Sequence, residues 1–203
     1  MDNTTISDPA GWWRRLCWAT EQVALTGDLP TDRPAAALAQ LGEWVAAGVT
    51  DIIDVRGECD DEEFVARHAP HITYHWLGTD DDGGGQPDEW FASGVAAAIE
   101  ALQHPDRKVV VHCHMGVNRG PSMGLAILVA LGHDPIEALE NIRASRPIAG
   151  IIYGENAVAW WHRTQGTSET LTYAERRRVR RWLHDNPVDI GWVISRIRRA
   201  EAS

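Results

Sequence analysis

Hydrophobic and polar residues follow two alternating patterns along most of the chain. Short apolar runs rich in β-branched residues predict buried strands. These runs lie at residues 22–25, 49–55, 72–77 and 109–111. Longer stretches in which apolar residues recur every three or four positions predict amphipathic helices. They lie at residues 35–47, 87–103, 123–131 and 153–164, with a further helix starting after Asp134. The alternation predicts an α/β fold in which helices flank a mostly parallel central sheet.

The last part of the chain has a helical pattern without strands. The segment from Thr172 to Glu175 is a capping-box pattern, which predicts a helix that runs to about residue 184. Asn186-Pro187 predicts the start of a second helix, with Ile190, Ile194 and Ile197 on one face. We therefore expect two parts in the chain. They are an α/β domain at residues 1–166 and a helical extension at residues 167–203.

The charge of the chain limits its partners. The net charge of −10 at neutral pH argues against a general nucleic-acid binder. The arginines at residues 176–181 are the basic exception, and they could bind an acidic partner or nucleic acid. Alternatively, the two C-terminal helices dock on the acidic remainder of the chain and leave these arginines in solvent.

Cysteine usage and hydropathy predict the compartment. Cys17, Cys59 and Cys113 are odd in number and far apart, which is not typical of a disulfide framework. Residues 1–11 are polar and expected to be irregular, without the basic and apolar regions of a signal peptide. The longest apolar run, at residues 125–131, is far too short to span a bilayer. We therefore expect a cytoplasmic protein with no membrane partner.

The candidate chemistry is concentrated where the fourth strand meets the next helix. The strand leads into Cys113, and Gly116 and Arg119 follow before the apolar helix begins. Free N–H groups at the start of a helix, with a loop curled over them, form an anion site. Such a site favours the thiolate form of a cysteine, and an arginine can hold two phosphate oxygens at once. Together these groups predict phosphoryl transfer through a covalent cysteine intermediate.

The pattern His112-Cys113-x5-Arg119 resembles the signature loop of cysteine-dependent protein phosphatases, and it is most similar to the compact dual-specificity group. The resemblance extends over roughly residues 20–165 and implies a protein tyrosine phosphatase-like fold. It implies that Cys113 attacks phosphorus, forming a phosphocysteine intermediate, and that no metal or organic cofactor is required. Backbone N–H groups and the arginine side chain would bind the phosphate. The residues of this loop are His114, Met115, Gly116, Val117, Asn118 and Arg119.

The mechanism also needs an acid that protonates the leaving oxygen and then activates water. In the family this residue is an aspartate on a loop about thirty residues before the cysteine. Asp81 and Asp82 both match that position, in a glycine-rich loop that could move and close. The neighbouring aspartates could instead bind a cation or form a solvated turn.

Residues around the loop have expected supporting roles. The resemblance implies that His112 orders the loop by hydrogen bonding, and that Arg146, with the proline after it, is structural. The family has Ser or Thr directly after the arginine, where this chain has Gly120. Ser122 is the nearest hydroxyl that could replace it in supporting the second chemical step.

We therefore expect phosphomonoester hydrolysis on phosphotyrosine or dual-specificity protein substrates. The same core could act on a phosphoinositide, a sugar phosphate or an RNA 5′-phosphate. Gly120 leaves open a phosphate-binding protein that turns over slowly, and the bare Cys-x5-Arg spacing also occurs in rhodanese-like sulfur transfer.

Overall fold

The computed structural model describes residues 11–202. The irregular segment expected at residues 1–11 therefore lies outside the described residues, except for Gly11. Among the described residues, no helix combines the length and the apolar character needed to cross a bilayer.

A five-stranded sheet forms the centre of the molecule. Its strands are β1 (Cys17–Trp18), β2 (Val23–Thr26), β3 (Asp51–Arg56), β4 (Thr73–Thr79) and β5 (Val109–His112). They lie in the order β1-β2-β5-β3-β4. β1 runs antiparallel to β2, and the other neighbouring pairs are parallel. The predicted mostly parallel sheet is confirmed, and only the two-residue β1 falls outside the predicted strands because it is too short to show an alternating pattern.

Helices cover both faces of the sheet, as the sequence predicts. They are α1 (Pro34–Ala46), α2 (Glu62–His68), α3 (Asp88–Leu102), α4 (Arg119–Ala130), α5 (Pro135–Ser145), α6 (Gly154–Thr164), α7 (Glu169–Asp185) and α8 (Ile190–Glu201), preceded by a 3₁₀ turn at Trp12–Arg14. Side chains of α1 and α2 pack on one face of the sheet. Side chains of α3 to α6 pack on the other.

The central strand β5 and the helix α4 together form the innermost unit of the fold. β5 pairs with β2 on one side and with β3 on the other, and all four of its residues are buried. The α4 helix is buried along nearly its whole length. A strand buried on both faces has no polar alternation, which explains the continuous valine run. The loop between these two elements is therefore held at the carboxyl edge of the sheet by the most constrained part of the molecule.

Three helix starts differ from the predicted ones. α4 begins at Arg119 rather than at residue 123, so the arginine and the three residues after it already belong to the helix. α7 begins three residues before the predicted capping box, since the Ser168 hydroxyl accepts the N–H of Leu171. α8 begins at Ile190, because the Asp189 carboxylate caps it. At α7 and α8 a polar side chain, which hydrophobic periodicity does not reveal, caps the helix start.

The C-terminal helices pack onto the rest of the chain. α7 lies against α6 and α5. In α8, Val193 and Ile197 are buried with Trp13 and Val117. The predicted inward residue Ile194 is only half-buried, and Val193 takes the inner position instead. The division of the chain at residue 166 stays a prediction.

Candidate active site

Cys113 lies directly after the last residue of β5 and is a free, buried thiol. The chain then turns within six residues into α4, whose first residue is Arg119. We call residues 113–119 the anion loop. Gly116 has a φ of +62°, and a Cβ at this position would run into Arg146 and the Thr26 carbonyl. The loop is thus tight enough that only glycine fits its centre.

Arg146 holds the anion loop from behind. Its Nε donates to the Gly116 carbonyl at 2.6 Å, and its Nη2 donates to the Met115 carbonyl at 3.0 Å and the Trp13 carbonyl at 2.5 Å. Arg146 is almost completely buried, and burial lowers the pKa of its guanidinium. With these carbonyls turned back toward Arg146, the peptide groups of the loop are fixed in one orientation. The structural role expected for this arginine is confirmed.

Arg119 is a buried arginine whose guanidinium forms a bidentate ion pair with a carboxylate. Its Nη1 donates to Glu58 Oε2 at 2.6 Å and its Nη2 to Oε1 at 2.8 Å, while Nη1 also reaches the Thr79 carbonyl at 2.9 Å. The hydrogen bond from Arg119 lowers the pKa of Glu58 to about 2. Burial works against the charge of Arg119, but Glu58, Cys113 and Asp81 outweigh it and raise the pKa of the guanidinium. The planar fork is thus in position to hold two oxygens of one anion.

The acid loop, which we define as residues 80–85, approaches the same guanidinium. Asp81 Oδ2 lies 3.5 Å from Arg119 Nε, and Asp81 Oδ1 accepts hydrogen bonds from Asn118 Nδ2 at 2.6 Å and Tyr153 Oη at 2.8 Å. Asp82 instead accepts the N–H of Gly84 at 2.8 Å and stabilises its own turn. Of the two candidate aspartates, the structure brings Asp81 to the anion loop and leaves Asp82 in solvent.

The side chains of the two histidines beside Cys113 lie in different surroundings. His112 is completely buried, and its Nδ1 lies 3.8 Å from Asp54 Oδ1. Neither of its ring nitrogens makes a hydrogen bond to residues 11–202, so the hydrogen bonding expected from this side chain to the loop is not seen. Its ring packs against Trp44, with 5.7 Å between the two ring centroids. His114 Nδ1 instead pairs with Asp28 Oδ2 at 2.7 Å.

A buried ionic cluster supports the loop that carries Glu58. Within residues 11–202, one group of three potential metal ligands is found. Its members are Asp54, Asp61 and His112, whose ligand-type atoms lie within 4.8 Å of one another. Arg56 already lies between the two carboxylates, at 2.7 Å from Asp54 Oδ2 and 2.6 Å from Asp61 Oδ2. The cluster therefore contains its own cation, and it fixes the chain on both sides of Glu58.

The hydroxyl of Ser122 contacts two neighbouring residues. Its Oγ donates to Asn118 Oδ1 at 3.3 Å and accepts the N–H of Tyr153 at 3.2 Å. These two hydrogen bonds connect α4 to the residue before it and to the turn before α6. At Gly120, an added Cβ would lie 3.3 Å from Cys113 N and from the His112 carbonyl carbon. The helix start therefore packs closely against the cysteine, with little space for a larger residue.

The sequence did not predict three side chains that contact Arg119 or Asp81: Glu58, Asn118 and Tyr153. Glu58 follows the carboxyl end of β3, the same edge of the parallel sheet from which Cys113 projects. Ligands bind at this edge in open α/β sheets, and this rule could have identified Glu58. Tyr153 offered no local signal, because its apolar neighbours predicted only a helix start.

No family model and no curated protein matches the sequence. Solved structures do match its fold. PTPMT1 in complex with PI(5)P has a TM-score of 0.58 at 20% identity, covering 75% of this chain and 99% of that one. Human DUSP28 has a TM-score of 0.57 at 20% identity, covering 77% and 94%. Human tyrosine phosphatase-like serine/threonine/tyrosine-interacting protein has a TM-score of 0.57 at 17% identity, covering 75% and 97%. The chain has the fold of tyrosine and dual-specificity phosphatases.

Proposed function

We propose that this protein is a cysteine-dependent phosphatase that hydrolyses phosphotyrosine or dual-specificity protein substrates through a phosphocysteine intermediate. One observation carries the proposal. In the loop that begins at Cys113, Arg119 grips a carboxylate through both Nη atoms, as it would grip two oxygens of a phosphate. Its Nε, on another edge of the guanidinium, makes no hydrogen bond within residues 11–202 and lies 3.5 Å from Asp81 Oδ2.

In the first step, the Cys113 thiolate attacks phosphorus and forms an S–P bond while the bond to the leaving oxygen breaks. Asp81 gives its proton to that oxygen, so the product leaves as a neutral alcohol or phenol. Arg119 and the N–H groups of residues 114–119 hold the equatorial oxygens, where negative charge is spread in the transition state.

In the second step, a water molecule attacks the phosphocysteine, and Asp81, now ionised, accepts its proton. The S–P bond breaks, inorganic phosphate forms, and the thiolate is restored. Each developing charge is met by Arg119, Asp81 or a backbone N–H group, so the proposal gives no role to a metal or organic cofactor. A thiolate nucleophile works only in a reducing compartment, and a cytoplasmic location therefore belongs to the proposal.

A second candidate is a phosphate-binding protein with slow turnover, and Gly120 favours it. In the phosphatase family that the loop resembles, a hydroxyl at this position assists phosphocysteine hydrolysis, and this chain has none there. The Ser122 hydroxyl is hydrogen-bonded to Asn118 and Tyr153. A phosphoinositide substrate is a further alternative, since PTPMT1 was solved with PI(5)P. The anion loop of this chain carries no lysine that would attract a second phosphate.

The test is hydrolysis of p-nitrophenyl phosphate, a phosphotyrosine peptide and a phosphoinositide by the wild type and Cys113→Ser. We expect turnover by the wild type, none by Cys113→Ser, and unchanged activity in Cys59→Ser, whose thiol is exposed. Asp81→Ala should lower the rate by about 100-fold, within the range for a lost general acid, while Asp82→Ala should not.

Each alternative has its own outcome. A wild-type protein that binds inorganic phosphate but forms no product is the phosphate-binding protein. Phosphate trapped on sulfur without release would show attack followed by failed hydrolysis. Activity that survives in Cys113→Ser would overturn the proposal.

A further inference from the structure

Tyr153 holds the acid loop at two points. Its Oη donates to Asp81 Oδ1 at 2.8 Å and accepts the N–H of Gly83 at 3.1 Å. The ring of Tyr153 is completely buried beneath the loop, and burial raises the pKa of its hydroxyl. The hydroxyl therefore stays protonated and keeps donating. One side chain outside the anion loop thus fixes both the backbone of the acid loop and one oxygen of its aspartate.

The turn that presents Tyr153 is strained. Ile151 has a φ of +56°, in the left-handed region that β-branched residues normally avoid, although its side chain is completely buried. Such a conformation is unfavourable and persists only where the surroundings impose it. Ile151 lies two residues before Tyr153, and its strained position indicates that the turn has a function beyond connection.

The anion loop and the start of α4 impose this strained turn. Gly150 N donates to the Val117 carbonyl at 2.6 Å, Ile152 N to Asn118 Oδ1 at 2.7 Å, and Tyr153 N to Ser122 Oγ at 3.2 Å. Three hydrogen bonds thus run from the turn to the anion loop and the start of α4. Any shift of the anion loop would be passed through this turn to the hydroxyl of Tyr153.

The two oxygens of Asp81 are consequently unlike. Oδ1 is occupied by Tyr153 and by Asn118, whereas Oδ2 faces Arg119 at 3.5 Å. We propose that Tyr153 is a positioning residue that keeps Asp81 Oδ2, the oxygen that Tyr153 and Asn118 do not engage, directed toward the leaving group and the attacking water. The inference rests on the proposed phosphatase function and adds to it the residue that orients the acid.

The test is the dependence of kcat/KM on the leaving group in Tyr153→Phe, which keeps the buried ring and removes only the hydroxyl. p-Nitrophenol leaves as a stable anion and needs little protonation, whereas phenol is more basic and needs the acid. We expect Tyr153→Phe to lose little activity on p-nitrophenyl phosphate and about 10-fold or more on phenyl phosphate, a part of the full effect of general acid catalysis. A merely structural defect would lower both rates by the same factor.

A double-mutant cycle with Asp81→Asn gives a second readout. If Tyr153 acts through Asp81, adding Tyr153→Phe to Asp81→Asn causes no further loss on phenyl phosphate. The exposed Tyr173, on α7, provides the matched control, and Tyr173→Phe should match the wild type on both substrates. Additive losses, or an equal loss on both substrates, would overturn the inference. Absence of wild-type turnover would instead overturn the proposed function.

Discussion

The carboxylate of Glu58 and an incoming phosphate would compete for the guanidinium of Arg119. Glu58 occupies both Nη atoms, and with a pKa of about 2 it is ionised throughout the neutral range. A phosphate dianion entering the loop therefore approaches a negative charge that grips the same arginine. Since the Glu58 side chain is about half exposed, at 49%, solvent screens much of this repulsion.

We predict that Glu58→Gln binds inorganic phosphate about two- to fivefold more tightly, because half-exposed charge pairs are worth about 0.2–1 kcal/mol. The measurement is the inhibition constant of phosphate against p-nitrophenyl phosphate. Glu62→Gln, an exposed neighbour in the first turn of α2, should leave the constant unchanged. Weaker binding in Glu58→Gln would mean that Glu58 chiefly orients Arg119 instead of competing with the substrate.

Among the elements, the anion loop depends on one backbone conformation. Gly116 combines a φ of +62° with close contacts to Arg146 and to the Thr26 carbonyl. Conformation and space therefore both demand glycine here. The conformation of the loop is fixed by the end of β5, the start of α4 and the buried Arg146, which all contact the same few residues.

We predict that Gly116→Ala lowers kcat/KM by about 100-fold or more, because the N–H groups that meet the transition-state charge would be displaced. Gly42→Ala is the matched control, since Gly42 lies within α1 with open space around it. That change should leave activity intact and stabilise the fold by about 0.5–1 kcal/mol. Steady-state kinetics and urea unfolding of both variants check the prediction, which a fully active Gly116→Ala enzyme would contradict.

For the molecule as a whole, His114 joins parts that lie far apart in the chain. Its Nδ1 lies 2.7 Å from Asp28 Oδ2, after β2, and its Nε2 lies 3.3 Å from Glu201 Oε1, at the end of α8. Arg14 contacts both carboxylates, at 2.9 Å and 3.4 Å. The C-terminal helix is thus tied to the anion loop by charge as well as by its apolar face. The hydrogen bond with Asp28 raises the pKa of His114 above its ordinary value.

We predict that His114 stabilises the fold more in acid than in alkali. A group whose folded-state pKa is raised contributes fully below its unfolded pKa of about 6.5, and the contribution is lost as the pH rises through the folded-state pKa. The difference in free energy of unfolding between wild type and His114→Gln should therefore be larger at about pH 5.5 than at about pH 9. Because the side chain is 38% exposed, screening limits the effect to about 1 kcal/mol or less.

Urea unfolding at the two pH values measures this difference, and His184→Gln is the matched control because His184 is exposed at the end of α7. A difference that grows toward alkaline pH would contradict the prediction.

Much of the fold was predictable because its signals are local. The valine run of β5 and the apolar α4 can only be buried elements, and the loop between them must then lie at the edge of a parallel sheet. The cysteine, glycine and arginine of that loop were identified from their spacing together with the strand before them, the helix after them and the resemblance to cysteine-dependent phosphatases. Helix starts were less predictable, since the caps at Ser168 and Asp189 depend on single polar side chains.

The sequence by itself determined the α/β architecture and the anion loop, because periodicity and short spacing record local geometry. It favoured Asp81 over Asp82 only weakly, by alignment of Tyr74 and Leu77 with the family's strand, because adjacent residues in a loop have no periodicity to separate them. Only the tertiary structure directed Asp81 toward Arg119 and brought Glu58 and Tyr153 to the same site. These contacts join residues 37 to 72 positions apart, and such pairings are set by packing of the whole fold rather than by any stretch of sequence.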